Sequence, residues 1–257
     1  MAVAHKSAIS VGMLYIPVSL YKTTRDISVS FNQLCKDTHE RVKYKKICPS
    51  CNKEVTSEGI IKGYEFEKNN YVTFTEDELE KIKTNKDKTI HILHFAKLSD
   101  VDQIYYEKNY YIVPDAGAEK ACELLRQAML SKKEVAVAKT VIGTSENLIV
   151  LYPTKDNIIA KVLFYQAEIQ AVPVSTAKPT IEKAELDMAK TMIDTMTAAF
   201  EPEKYHDEYQ ERLRAAIETK IAGKEIQTAD TTNANNNIID LMEAMKKTVE
   251  LAKKGTA

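Results

Sequence analysis

Basic side chains are concentrated in one short segment, RVKYKK at residues 41–46, which contains no acidic residue. In an extended strand alternate residues share a face, so Arg41, Lys43 and Lys45 would point one way and Lys46 the other. A row of cations suits the repeating charge of a phosphate backbone better than it suits a small-molecule pocket. The alternative is a solvated sheet face, which alternation alone does not distinguish from a binding surface.

Cysteine and histidine residues flank the basic segment at spacings that suggest a metal site. The sequence CPSC at 48–51 has the C-x₂-C spacing of a zinc knuckle, and a C-x₃-H pair lies upstream at 35–39. Together they offer a tetrahedral structural zinc site with the ligands Cys35, His39, Cys48 and Cys51. The alternative is a pair of reduced cysteines in a tight turn. A redox role is disfavoured because no βαβ pattern surrounds the pair.

The overall charge gives no reason to expect a nucleic-acid partner. The 257 residues include 36 Lys or Arg and 37 Asp or Glu, for a net charge of −1. The charge is nevertheless unevenly distributed, because residues 1–62 hold ten basic and five acidic residues. This local excess of +5 leaves −6 for the remainder, the asymmetry expected of a basic working surface on an otherwise acidic protein.

The sequence has the composition of a soluble cytoplasmic protein. Hydrophobic residues make up 44% and charged residues 28%, and the first residues lack the apolar core of a signal peptide. No apolar run approaches the roughly 20 residues of a membrane helix, so we expect no membrane association. Four cysteines are too few for a disulfide scaffold.

No catalytic motif is present. The sequence lacks the G-x-x-x-x-G-K-[ST] and G-x-G-x-x-G phosphate loops and the G-x-S-x-G elbow, and it holds seven glycines in all. His91 and His94 lie three apart in a predicted strand, where they would point to opposite faces. We therefore expect a protein that is not an enzyme and requires no cofactor, apart from the possible structural zinc.

Hydrophobic periodicity predicts an α+β protein. Short strands are predicted within 7–21, broken near Gly12 and Pro17, and within 28–34, with a hairpin at 64–74. Thr75 and Glu78 have the spacing of a helix capping box. The first half reads as predominantly β with an embedded helix at 119–130, and the second half as helical.

The C-terminal segment predicts a short amphipathic helix after a polar linker. The linker is TADTTNANNN at 228–237. The helix would either pack back on the body or dock on a partner. Its apolar stripe consists of Ile238, Leu241, Met242, Met245 and Val249.

In this order the segments resemble the bacterial Ku family, the DNA-end-binding proteins of non-homologous end joining. The matching stretches cover nearly the whole chain and include SAISVGMLYIPVSLY, RVKYKKICPSCNKEV, IIKGYEFEKNNYVTFTEDEL, DQIYYEKNYYIVPDAGAEKACELLRQAM, KEVAVAKTVIG, ELDMAKTMIDTM, FEPEKYHDEYQERLRAAIETKIAGKE and NIIDLMEAMKKTVE.

The resemblance implies a Ku core, a β-barrel (SPOC-like) domain with a helical arm. Two subunits would close a ring around double-stranded DNA, bind its ends without regard to sequence, and recruit an ATP-dependent ligase of the ligase D type through the C-terminal stripe. The implied divisions are a DNA-encircling and dimerisation core at 1–178, a helical arm at 179–227, the linker at 228–237 and the docking helix at 238–257. Many relatives carry a long Lys-rich tail that this sequence lacks.

The predicted DNA-binding residues combine the basic segment with cations on other matching strands. Lys139 is included because its strand, KEVAVAKTVIG, matches a family strand with a basic residue at that place. The set is Lys6, Lys22, Arg41, Lys43, Lys45, Lys46, Lys62 and Lys139. The rival interpretation is a zinc-knuckle regulator or adaptor that acts through its C-terminal helix.

Overall fold

The structure is a computed structural model that describes residues 2–82, 87–173, 179–225 and 241–253. The chain divides into two compact units. The first comprises Met1–Asp26 and Asn32–Ala171, and the second comprises Ile27–Phe31 and Val172–Ala257.

The first unit is built around a closed β-barrel. Its strands are β1 (His5–Val11), β2 (Leu14–Lys22), β5 (Ile90–Lys97), β6 (Tyr106–Pro114), β7 (Glu134–Ile142), β8 (Ser145–Pro153) and β9 (Ile158–Leu163), in the order β1-β2-β6-β9-β8-β7-β5. A separate hairpin pairs β3 (Lys62–Glu67) with β4 (Asn70–Phe74). The described part of the unit also contains the α-helices α1 (Glu76–Ile82) and α2 (Glu119–Lys132).

The barrel closes through a short parallel contact, whereas its other strand pairs are antiparallel. β1 pairs with β5 at Ile9 opposite Ile90 and Ser10 opposite His91. The β1–β2 pairing, by contrast, runs through seven residues on each strand. The first half of β1 therefore has a strand partner on one side, β2, within the described residues.

Alternating residues fill the barrel interior. Along β7 the small residues Ala136 and Ala138 are buried, and opposite them Ile149 and Leu151 of β8 are fully buried. Small residues facing large ones fit the limited interior of a narrow barrel. Each fully buried Ile or Leu contributes about 1.5–3 kcal/mol through removal of apolar surface from water.

Helix α2 packs on this core. Cys122, Leu125 and Met129, which are spaced to lie on one helix face, belong to the same buried cluster as the barrel strands. Arg126 of the same helix donates hydrogen bonds from Nη1 to the carbonyl oxygens of Thr154 and Lys155, at 2.7 Å each. The helix is thus joined both to the core and to the turn between β8 and β9.

Local sequence signals account for several element boundaries. Gly12 has a φ of +56° in the turn between β1 and β2, a conformation that glycine adopts without steric cost. At the start of α1, Thr75 Oγ1 accepts a hydrogen bond from the Glu78 backbone N–H, and the Glu78 carboxylate accepts one from the Thr75 backbone N–H. This is the predicted capping box.

The α-helices in the described part of the second unit are α3 (Lys183–Met196), α4 (Glu208–Ile221) and α5 (Leu241–Lys253). Helix α5 packs against α3, and its Met245 and Val249 are buried. The segment Ile27–Phe31 is held by α4, because Arg214 donates to the Ile27 carbonyl oxygen at 2.8 Å.

The predicted α+β class, with a β-barrel core and an embedded helix, is confirmed. Two local predictions were wrong. Pro17 does not break the strand but lies within β2, one residue before β2 begins to pair with β6. Residues 28–34 form no strand; Leu34 makes a single bridge with Arg41.

We predict that Leu151→Ala lowers the free energy of unfolding by about 2–5 kcal/mol, because it leaves a cavity in the filled barrel. Urea denaturation followed by circular dichroism measures this loss. Leu124→Ala is the matched control, because Leu124 is 69% exposed on α2 and its truncation should cost about 0.5 kcal/mol or less. Equal losses for the two variants would contradict the assignment of the core.

Candidate nucleic-acid interface

A cleft lined by basic residues lies beside the start of β1. Two adjoining cavities, of about 450 and 930 Å³, are both lined by Val3, Ala4 and His5. The smaller cavity extends to the end of β7, and the larger one to the segment after β2. The cations that line the two cavities, here called the basic cleft, are Lys6, Lys22, Arg25 and Lys88.

The cations of the basic cleft are not neutralised by neighbours. No Asp or Glu is among the described residues that line the two cavities. None of the four cations forms an ion pair in the described part of the chain. Their positive charge is therefore available to a bound anion.

The pKa of His5 reflects both its burial and the positive charges of the basic cleft. Its ring stands edge-on to Tyr110, with the ring centroids 5.8 Å apart. Burial is the largest cause that lowers the His5 pKa, and the charges of Lys88 and Lys22 lower it further. The imidazole is therefore neutral at pH 7 and becomes a fifth cation at lower pH, below its reduced pKa.

Two of the predicted DNA-binding residues are held in ion pairs. Lys45 Nζ lies 2.8 Å from the Glu54 carboxylate, and Lys139 Nζ lies 2.8 Å from that of Glu146. The hydrogen bond to Glu146 raises the pKa of Lys139. Exposed pairs of this kind contribute little to stability, but each places a carboxylate beside the cation and so weakens its attraction for phosphate.

The cationic strand predicted at 41–46 is not a strand. Arg41 makes one isolated bridge with Leu34, and the residues that follow connect two turns without a ladder. Arg41, Lys43 and Lys46 are exposed there, but the expected shared face depended on regular strand geometry.

Lys46 and Lys62 contribute to a different surface. Both line a cavity of about 580 Å³ whose walls also carry Glu58 and Glu76. Lys62 is the first residue of β3, opposite Phe74. The mixed charge of this cavity distinguishes it from the basic cleft.

The predicted zinc ligands lie in two turns of matching geometry. In the first, Cys35 N–H donates to the Glu40 carbonyl and His39 N–H donates to the Cys35 carbonyl, at 2.8 and 2.9 Å. In the second, Cys48 N–H donates to the Lys53 carbonyl and Asn52 N–H to the Cys48 carbonyl, at 3.0 and 2.8 Å. His39 and Asn52 occupy the same left-handed position, with φ of +55° and +52°.

Thr38 occupies the position in the first turn that Cys51 occupies in the second, so the first turn has a hydroxyl where the second has a thiol. The backbone N–H and hydroxyl of Thr38 are the largest causes that lower the Cys35 pKa. The backbone N–H and thiol of Cys51 act in the same way on Cys48. Among the described residues, no group of three or more His, Cys, Asp or Glu gathers to hold a metal ion. The zinc site with Cys35, His39, Cys48 and Cys51 stays a prediction, and metal analysis of untagged protein tests it.

The predicted docking stripe falls partly outside the described residues. Ile238 lies there, as does the linker at 228–237. Leu241 begins α5, and Met242 is partly buried in the same helix. Met245 and Val249 are buried in the second unit, where α5 packs on α3.

Sequence reasoning missed two members of the basic cleft, Arg25 and Lys88. Each lies just beyond a strand, Arg25 after β2 and Lys88 before β5. Their positions at strand ends are a usable signal, but nothing in the sequence shows that these two ends meet Lys6 and Lys22.

No helix among the described residues is long and apolar enough to cross a membrane.

Comparison with known proteins places the barrel in a defined class. The family model described as the Ku70/Ku80 beta-barrel domain matches residues 10–188. The "Non-homologous end joining protein Ku" of Lachnoclostridium phytofermentans is 48% identical, over 98% of this chain and 98% of the relative. Proteins of the same name from Archaeoglobus fulgidus and Bacillus subtilis are 36% and 32% identical, covering 95% of this chain and 98% and 80% of their own lengths. The chain therefore belongs to the Ku family, and the expected resemblance is confirmed.

We predict that neutralising Lys6 and Lys22 together, as Lys→Gln, weakens binding to a linear duplex and flattens its salt dependence. Each phosphate contact contributes about 0.9 to the slope of log K against log salt, so the pair should reduce it by about 1.8. Fluorescence anisotropy across a salt series measures the slope.

Lys139→Gln is the control, because the Lys139 charge is already paired with Glu146. Its slope should change by much less than that of the double variant. An unchanged slope in the Lys6 and Lys22 variant would place the basic cleft away from DNA.

Proposed function

We propose that this protein binds the ends of double-stranded DNA in non-homologous end joining, as a homodimeric ring that performs no chemistry itself. The observation that carries this proposal is the unneutralised basic cleft on the barrel of a chain that belongs to the Ku family. Lys and Arg contacts to phosphate position a duplex without reading its sequence. Binding of DNA without regard to base sequence follows from this chemistry, and the ring adds the requirement for an end.

The local distribution of charge makes enclosure a physically reasonable binding mode. A protein of net charge −1 has no long-range attraction for DNA as a whole. Its basic surface is effective when it is held close to the backbone, because charges separated by more than about 10 Å are largely screened at 0.1 M salt. A ring around the duplex keeps the basic residues within this distance.

The hairpin of β3 and β4 supports the homodimer. Its apolar side chains face solvent in one protomer, with Tyr64 66%, Phe66 54% and Tyr71 56% exposed. An isolated two-stranded hairpin is marginally stable in water, so an apolar hairpin of this kind needs a covering surface. A second copy of the chain is the occupant we propose, because a closed ring requires a contact between its subunits.

The absence of catalytic motifs supports a role in holding ends for another protein. The proposed partner is an ATP-dependent ligase of the ligase D type, bound through α5. Met245 and Val249 pack inside the second unit, so the ligase would meet the exposed side of α5, where Lys246, Glu250 and Leu251 lie.

We predict that linear plasmid is bound and that covalently closed plasmid of the same sequence is bound roughly tenfold or more weakly, since a closed circle offers only electrostatic contact with the outside of a ring. Gel-shift titration at matched salt measures both. Nicked circular plasmid, which has no duplex end, is the control and should be bound as weakly as the closed circle. Equal affinities, or a protein that sediments as a stable monomer, would contradict the ring.

We predict that deletion of residues 238–257 spares DNA-end binding and abolishes stimulation of the ligase, because the basic cleft lies in the first unit and the deletion removes α5 from the second. An end-joining assay with purified ligase measures the stimulation, and an anisotropy titration measures DNA-end binding. Leu251→Ser is the matched variant for the deletion, because it alters the exposed side of α5 and leaves the packed face in place. It should weaken ligase stimulation and spare DNA-end binding. An unaltered ligase response to the deletion would assign α5 a purely structural role.

A further inference from the structure

The contact that closes the barrel leaves the second part of β5 without a neighbour on one side. The pairing of β5 with β1 ends at His91 of β5. The pairing of β5 with β7, on its other side, continues as far as Lys97. Within the described part of the chain, residues 92–97 therefore have a strand partner only in β7. This unpaired side of residues 92–97 is here called the β5 edge.

The backbone of the β5 edge has unused hydrogen-bonding capacity. Among the described residues, residues 92–97 make no backbone–backbone hydrogen bond outside the ladder with β7. In an antiparallel pair alternate residues direct their N–H and C=O groups away from the paired strand. Leu93, His94, Phe95 and Lys97 are exposed, so the outward-pointing groups are within reach of another molecule. An additional strand would give these donors and acceptors partners.

Two large apolar side chains are exposed along the β5 edge. Leu93 is 55% exposed and Phe95 is 42% exposed. Residues of neighbouring strands pack against each other across the ladder, so a strand added to this edge would cover part of both side chains. Burial of this apolar surface would add to the affinity supplied by the backbone hydrogen bonds.

Charge and strand geometry select the class of partner. The β5 sequence HILHFAK contains one Lys, two His and no Asp or Glu. Lys97 lies opposite Glu134 in the ladder with β7, yet it forms no ion pair in the described part of the chain. Pairing with β5 of a second copy would bring no carboxylate to Lys97, and the bulge between Ile92 and His94 disfavours regular edge-to-edge pairing. A short strand with acidic residues complements this edge better.

We propose that the β5 edge binds an extended acidic peptide segment of another protein, which adds to the barrel as a strand beside β5. In this mode of recognition main-chain hydrogen bonds supply affinity, and alternate side chains supply specificity. Apolar residues of the peptide pack on Leu93 and Phe95, and an acidic residue pairs with Lys97. The site shares no residue with the basic cleft, so it does not depend on DNA binding.

The test uses full-length protein without DNA and three fluorescein-labelled peptides in an anisotropy titration. The first peptide, DVTVEVD, alternates apolar with polar residues. The second, KVTVKVK, has lysine in place of each acidic residue, and the third is the acidic peptide with every backbone nitrogen methylated. The unmodified acidic peptide should bind about tenfold or more tightly than either of the others, because it alone supplies both carboxylates and N–H donors. Equal affinity for the three peptides, or no binding of any, overturns the inference.

Two variants locate the bound peptide on the β5 edge. K97E should weaken binding of the acidic peptide about fivefold, the upper range for an exposed ion pair. F95S should weaken it about tenfold through loss of apolar contact. K120E is the matched control, because Lys120 is an exposed lysine on α2, and its replacement should leave the affinity unchanged. Circular dichroism confirms that the variants are folded, and unchanged affinity in both K97E and F95S overturns the assignment.

Hydrogen–deuterium exchange followed by mass spectrometry tests whether the edge is free. Amides of residues 92–97 that point away from β7 should exchange rapidly in the protein alone and about tenfold more slowly with the acidic peptide bound. Slow exchange in the protein alone at every concentration would show that another part of the chain covers the edge. Protection that increases with protein concentration would assign the edge to a second copy. Either result overturns the inference.

Discussion

The short parallel contact between β1 and β5 is the constraint on which the functional surface depends. Two residue pairs, Ile9 with Ile90 and Ser10 with His91, close a barrel whose other strands pair over much longer stretches. Closure removes the two free edges that an open sheet of these strands would expose. Because the contact is so short, the first half of β1 is left with an unpaired side, and the basic cleft lies beside it.

Buried hydroxyl groups join barrel strands to the segments before β5 and after β6. Thr140 is buried on β7, and its hydroxyl donates to the carbonyl of Lys88. Ser19 is buried on β2, and its hydroxyl donates to the Asp115 carboxylate at 2.8 Å. A buried hydroxyl without a hydrogen-bond partner would cost about 1–3 kcal/mol. The bond from Thr140 joins β7 to the segment before β5, and the bond from Ser19 joins β2 to the segment after β6. The bond between Thr140 and Lys88 thus lies in the wall of the basic cleft and next to the strand β5 that closes the barrel.

The cations divide into those that bind carboxylates of the same chain and those that do not. Lys45 and Lys139 are neutralised by Glu54 and Glu146 across neighbouring backbone segments. Lys6 and Lys22 project where no carboxylate lines the cavity wall. This difference distinguishes the basic cleft from the surfaces around Lys45 and Lys139. It also explains how a protein of net charge −1 can hold a strongly anionic partner.

The sequence by itself determined the class of fold, the capping box at Thr75 and Glu78, the turn at Gly12 and the membership of the Ku family, because these depend on residues near one another or on whole-chain similarity. Only the tertiary structure brought Arg25 and Lys88 to Lys6 and Lys22, since these residues lie on different segments that the closed barrel places together. It also decided that Lys45 and Lys139 are ion-paired and that residues 41–46 lack strand geometry. Local periodicity predicts which face of an element a residue occupies, but the partner of a charge depends on how turns and strands pair, as for Lys139 of β7 and Glu146 of β8.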